Sequence, residues 1–169
     1  MKIEGTYQLR VPRARVYAAL TDPDVLRRCI PGCESLERTG DYAYAATMKA
    51  GLGAIKGVFK GNVRLEDMRP PEHYRIVVEG KGAPGFLKGA GEFDLEERGD
   101  STTIAYTGDV QVGGTIAGVG QRMIQATAKM MASQFFTALE AEAKSSPDTP
   151  PPKHGFFRTV LRWISGWLR

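Results

Sequence analysis

The chain has 169 residues, 42% hydrophobic and 25% charged, with a formal net charge of +4. That length supports one domain with a substantial core. The excess charge sits at one end: residues 1–144 carry 19 Lys and Arg against 18 Asp and Glu, and residues 145–169 carry 4 against 1. This excludes a basic, nucleic-acid-binding body. With only His73 and His154 present, it also leaves no histidine-built metal cluster or catalytic triad.

"KIEGTYQLRV" alternates, with Ile3, Gly5, Tyr7, Leu9 and Val11 on one face, which predicts a half-buried strand. Pro12 opens a short helix, "RARVYAAL", and Asp22 can cap a second, "PDVLRRC", which ends at Pro31-Gly32. Cys29 and Cys33 frame that turn, and their spacing suits neither a disulfide framework nor a zinc site, so two reduced thiols are expected. Strands are then predicted at Tyr42–Lys49, "GAIKGVFKGNVRLEDM", "HYRIVVEGKG", "FLKGAGEFDLEE" and "STTIAYTGDVQV". The short spacings between them indicate an antiparallel meander. His73 falls at an outward strand position and is expected to be exposed.

The period changes at residues 115–144, which read as one long helix. Its predicted stripe is Ile116, Val119, Met123, Thr127, Met130 and Gln134, with Ile124, Met131 and Phe135 beside it. An α+β architecture follows, in which a single curved antiparallel sheet buries its apolar face under one long C-terminal helix. If that face is inward, seven glycines share it: Gly57, Gly61, Gly80, Gly82, Gly89, Gly91 and Gly108. Two explanations stand side by side: glycine lets a sheet bend tightly, or it leaves room for a ligand. A cavity would then be walled by Phe59, Tyr74, Phe93 and Tyr106, at Gly89, Gly91 and Gly108, with Met123, Thr127, Met130, Met131 and Gln134 opposite. These inward positions hold no charged residue, which suits binding rather than acid–base catalysis.

"GKGAPG" (80–85) matches G-x-G-x-x-G literally, but a strand rather than a helix follows it, so it reads as a hairpin connection. It and "MKAGLGAIKG" are loops where a protein partner could bind. Residues 145–155 are a Pro-rich linker. Beyond it, at roughly 100° per residue, "GFFRTVLRWISGWLR" sorts into two faces. Phe156, Phe157, Val160, Leu161, Trp163, Ile164, Trp167 and Leu168 form the apolar side, and Arg158, Arg162 and Arg169 lie on the other. A helix of this kind is expected to lie in the plane of a membrane; docking into a protein groove is the rival reading. No stretch reaches the roughly 20 apolar residues of a span, and "MKIEGTYQLRV" lacks the apolar region of a secretory signal. The expected location is the cytoplasm, peripheral on the inner face of the cell membrane.

"CIPGCE", "GKGAPGFLKGAGEFDL", "TTIAYTGDVQVGGTIAGVGQRMI" and "FFTALE" resemble the CoxG-like family of carbon monoxide dehydrogenase subunits, within the SRPBCC (START-like, helix-grip) superfamily, over about residues 2–142. The resemblance implies a helix-grip ligand-binding domain at 1–144 with a central apolar cavity. It implies recruitment of a molybdenum hydroxylase, typically of the aerobic CO dehydrogenase type, to the membrane. It carries no catalytic residue, no metal and no covalent cofactor; a menaquinone or ubiquinone is a candidate ligand. Two alternatives stand beside this reading: a helix-grip cyclase or dehydratase, and a recruitment adaptor without a ligand.

Overall fold

The computed structural model describes residues 1–145. Strand β1 (Lys2–Leu9) leads to helices α1 (Arg13–Leu20) and α2 (Pro23–Cys29). Strands β2 (Cys33–Gly40), β3 (Ala43–Leu52), β4 (Ile55–Arg69), β5 (His73–Gly82), β6 (Gly85–Arg98) and β7 (Ser101–Gly113) follow. A 3-10 turn (Thr115–Val119) precedes the long helix α3 (Gln121–Ser145). The strands form one antiparallel sheet in the order β1-β7-β6-β5-β4-β3-β2, so every strand from β2 to β7 pairs with its sequence neighbours and β1 closes beside β7.

Local chemistry sets the helix ends as the sequence suggests. Pro12 precedes α1, and the Asp22 carboxylate accepts a hydrogen bond from the Asp24 N–H at 2.9 Å, capping α2. Strand β2 escapes the sequence reading. It is an edge strand whose second half, Glu37 to Gly40, is exposed, so it carries no apolar alternation to detect. The predicted 30-residue helix is divided: Gly120, at φ 95°, separates the 3-10 turn from α3.

The core lies where α1, α2 and the C-terminal half of α3 meet β1, β4, β5, β6 and β7. Leu20, Ile104 and Leu139 are fully buried there with Val11 and Val16. The Thr102 hydroxyl, also fully buried, donates to the Val11 carbonyl at 2.7 Å and ties β7 to the chain leaving β1. An aromatic series runs through this region. Tyr17 meets Tyr74 edge-on at 6.0 Å, Tyr74 stacks on Phe93 at 4.9 Å, and Tyr106 and Phe136 continue it at 5.8 Å. Burial pushes the Tyr17 hydroxyl up to about 12 and raises that of Tyr74 further, so both stay neutral.

His73 corrects an expectation. It is buried, not exposed: its Nδ1 lies 2.7 Å from Asp94 and its Nε2 3.3 Å from Asp67. Strand alternation does aim it outward, but β4 bulges at Asp67 (φ 46°) and the register slips between Glu66 and Arg69. The bulge folds Asp67 over the imidazole.

Candidate functional site

Between the concave face of the sheet and the N-terminal half of α3 lies a cavity of about 490 Å³. Its closed end is formed by Leu20, Leu65, Tyr74 and Phe93. From there it runs toward the β3–β4 hairpin (Ala50 to Leu52), the start of β6, and Ile116 and Ile124. Phe86 and Leu87 line it while remaining 39% and 36% exposed, so the cavity reaches the surface at this end.

The wall is apolar. Phe59, Val63, Ile76, Val78, Val110 and Val112 come from alternate positions of three strands, and Ile124, Ala128, Met131 and Phe135 come from α3. The uncharged polar residues that border it, besides Asn62, are Tyr44, Tyr74, Thr127 and Cys33. Lys60, Asn62 and Glu79 also border it, but they are exposed and alternate outward around Gly61 and Gly80, where the wall is bare backbone. Glu79 faces Lys88 at 3.8 Å on the outer side. Among the described residues no histidine lines the cavity, and no cluster of three or more His, Cys, Asp or Glu is placed to hold a metal ion.

Of the residues expected to wall this space, Phe59, Tyr74, Phe93, Thr127 and Met131 do so. Gly89, Gly91, Gly108 and Tyr106 lie outside the lining. A Cβ on Gly91 would come within 2.8 Å of the Thr107 carbonyl oxygen, and one on Gly108 within 3.1 Å of that of Ala90. These register partners let β6 and β7 approach where the sheet bends. Tyr106 leans the other way, over β1, where its hydroxyl fills the space that a side chain at Gly5 would take.

Met123, Met130 and Gln134 are a correction: all three are exposed, and the cavity stripe is instead Ile124, Thr127, Ala128, Met131 and Phe135. The cause is the break at Gly120. A stripe counted from Ile116 and Val119 carries the phase of the 3-10 turn, which does not continue into α3. The phase could have been read from the other end, because Phe136, Leu139 and Ala143 are the buried positions of α3. Sequence reasoning also missed Leu26 and Ile30, which border the cavity from α2 and the turn after it, and Cys33, Leu36, Tyr44 and Met48 from β2 and β3. The aromatic and basic tail residues 156–169 lie outside the described residues. Among the described residues no helix is long and apolar enough to cross a membrane.

A curved antiparallel sheet gripping a C-terminal helix over an apolar cavity is the START-like, helix-grip fold. The model of the CoxG family of carbon monoxide dehydrogenase subunits matches residues 5–144, and the chain belongs to that family. The family is associated with CO dehydrogenase as an accessory rather than a catalytic component. The fold closely matches a conserved protein from Geobacillus kaustophilus, at 36% identity and TM-score 0.83, over 86% of this chain and 97% of that one. More distant in sequence are the ZhuI aromatase/cyclase from a Streptomyces species (15% identity, TM-score 0.63, over 85% of this chain and 93% of that one) and a START superfamily protein from Mycobacterium smegmatis (16%, 0.63, over 85% and 97%). These last two are likenesses of fold. No curated protein matches the chain in sequence.

Proposed function

We propose that this protein is a non-catalytic carrier and adaptor. Its cavity binds a lipophilic molecule, a respiratory quinone such as menaquinone or ubiquinone. It works on the cytoplasmic face of the cell membrane, where it recruits a molybdenum hydroxylase of the CO dehydrogenase type. The observation that carries this reading is the cavity. Its 490 Å³ falls within the roughly 300–1,000 Å³ of small-molecule sites. Many apolar contacts with a few neutral hydroxyls are what a ring carrying one or two carbonyls and a hydrocarbon tail requires. Met131 and Met48 supply adaptable thioether surface along the wall.

The same wall argues against a cyclase or dehydratase, for which the Streptomyces aromatase/cyclase is the fold precedent. General acid–base chemistry needs a group that gains and loses a proton near working pH. Here Tyr44 and Tyr74 are both raised by burial, and Cys33 likewise. Membrane association rests on the sequence of residues 156–169, whose apolar side, basic side and tryptophans suit an interfacial helix.

The test is to purify the full chain from membranes, extract it with organic solvent and identify what is released by mass spectrometry. Ala128→Phe and Ala46→Leu fill the cavity from opposite walls. They are cleaner than replacing Gly91, where a side chain meets backbone. The folded, filled variant should release less quinone than wild type. A wild-type protein that carries no lipophilic molecule and binds no added quinone would leave an adaptor without a ligand.

A further inference from the structure

The charge of the body is even in total but divided between its ends. Three segments form the open end of the cavity. Residues 47–60, with the β3–β4 hairpin, contain Lys49, Lys56 and Lys60 and no carboxylate. Residues 79–89, with the β5–β6 hairpin, contain Lys81 and Lys88 against Glu79. Residues 110–131, from the end of β7 into α3, contain Arg122 and Lys129 and no carboxylate. Within these segments seven basic residues stand against one acidic residue; Glu79 is paired with Lys88, and Lys49 with Glu34 of the adjoining β2 at 3.2 Å. Among the described residues, Lys56, Lys60, Lys81, Arg122 and Lys129 form no salt bridge. The opposite end is acidic: the β6–β7 hairpin alone carries Glu92, Asp94, Glu96, Glu97 and Asp100 against Arg98.

The same basic end exposes large apolar side chains. Val58, Phe86, Leu87, Met123 and Met130 are exposed, and all five belong to these three segments. Phe86 and Leu87 are part of the cavity lining as well. Lysines and an arginine around exposed apolar groups match a surface that is negatively charged outside and hydrocarbon beneath.

We propose that the open end of the cavity is itself a lipid-docking surface. It seats the cavity mouth on an anionic bilayer, so that the apolar ligand moves between membrane and cavity without crossing water. This rests on the carrier reading above. The hairpins that sequence alone offers to a protein partner are assigned here to lipid, because they combine unpaired positive charge with an apolar rim. The two membrane contacts are compatible in reach. The C-terminal end of α3 lies at the closed end, where the Arg15 guanidinium donates to the Lys144 carbonyl at 3.2 Å. A helix of 25 residues is about 37 Å long. The eleven residue steps from Ser145 to Phe156 reach at most about 40 Å, just over that length, so the tail and the mouth can meet the same bilayer.

The test uses the full chain and hydrogen–deuterium exchange, with vesicles of equal parts phosphatidylglycerol and phosphatidylcholine and with vesicles of phosphatidylcholine alone. With anionic vesicles, exchange should slow in residues 50–60, 80–88 and 113–124 and stay unchanged in the β4–β5 and β6–β7 hairpins; high salt should reverse the slowing. The variant Lys56→Glu, Lys81→Glu and Lys129→Glu alters no residue of the cavity wall. It should slow quinone uptake from anionic vesicles by at least about tenfold while leaving quinone affinity in detergent unchanged. Vesicle-bound protein without protection at the mouth would overturn the proposal, as would an unaltered uptake rate in the variant. So would protection of these hairpins by the purified hydroxylase and not by vesicles. Failure to bind quinone in detergent would sink the carrier reading instead, and the exchange experiment would still decide the surface.

Discussion

At the closed end of the molecule Leu20, Ile104 and Leu139 show essentially no surface to solvent; at the other end Phe86 and Leu87 line the cavity and yet stand exposed. One sheet and one helix form both ends. The difference lies in what covers the concave face. At the closed end α1 and α2 pack between sheet and helix, and α3 contributes Phe136, Leu139 and Ala143. At the open end α3 faces the sheet alone, with small and medium-sized side chains such as Thr127 and Ala128, and the sheet answers with Gly61 and Gly80. Stability and binding are thereby separated along one helix.

The largest test of that separation is a matched pair of truncations in α3. Leu139→Ala removes a fully buried side chain and should cost about 2–5 kcal/mol in urea unfolding. Met130→Ala, on the exposed face, should stay within about 0.5 kcal/mol. Comparable losses from both would mean that the open end also carries the fold.

This division explains what was legible in the sequence. The meander, the two short helices and the inward parity of β4, β5 and β6 follow from period-two alternation and turn residues, which are local signals. The cavity residues Phe59, Tyr74 and Phe93 came with that parity. Three features were not local. The phase of α3 depends on Gly120 interrupting the helix, and a period cannot be carried across a break. The contribution of α2 and β2 to the wall depends on how the chain returns to the sheet edge. The burial of His73 depends on a bulge at Asp67 that shifts the register of one strand against the next. The glycine question had two open answers, and the structure divides them by position. Gly91 and Gly108 serve the bend, whereas Gly61 and Gly80 also face the cavity.

Gly61 and Gly80 are register partners on β4 and β5, which makes the next comparison sharp. A Cβ at Gly61 would run into the Glu79 carbonyl and lie 2.6 Å from the Gly80 Cα, whereas the nearest atom to a Cβ at Gly80 is the Lys60 carbonyl oxygen at 3.9 Å. Gly61→Ala should therefore destabilise by roughly 1–3 kcal/mol. Gly80→Ala should be neutral or stabilise by up to about 1 kcal/mol through the unfolded chain. Equal costs on thermal unfolding would show that both positions serve curvature alone.

A smaller effect concerns how α2 is held to α3. Arg28 donates to Glu142 through Nε at 2.9 Å and through Nη2 at 3.1 Å. That hydrogen bond holds the Glu142 carboxyl below its ordinary value of 4.5. A carboxyl whose pKa is lowered in the folded state stabilises fully above its unfolded value, and the contribution fades as pH falls through the folded value. Wild type should thus lose stability more steeply than Glu142→Gln below about pH 4.5, and added salt should narrow the gap because both groups reach solvent. Parallel acid limbs for the two proteins would assign the slope to other carboxylates.

The smallest effect reads the boundary between the two regions directly. Cys29 is buried in the core, and burial pushes its thiol up to about 11; Cys33 is half-buried on the cavity wall, raised by burial and donating to the Ser35 carbonyl at 3.5 Å. Alkylation proceeds through the thiolate, so iodoacetamide near neutral pH should label Cys33 slowly and Cys29 more slowly still. The Cys29 rate should climb about tenfold per pH unit over the accessible alkaline range. Because Cys33 borders the cavity and Cys29 does not, a bound quinone should shield the first thiol and leave the second unchanged. Peptide mass spectrometry after timed labelling resolves the two sites. If saturating quinone leaves the Cys33 rate untouched, the ligand occupies another part of the molecule, and the contrast between a filled end and a binding end loses its functional meaning.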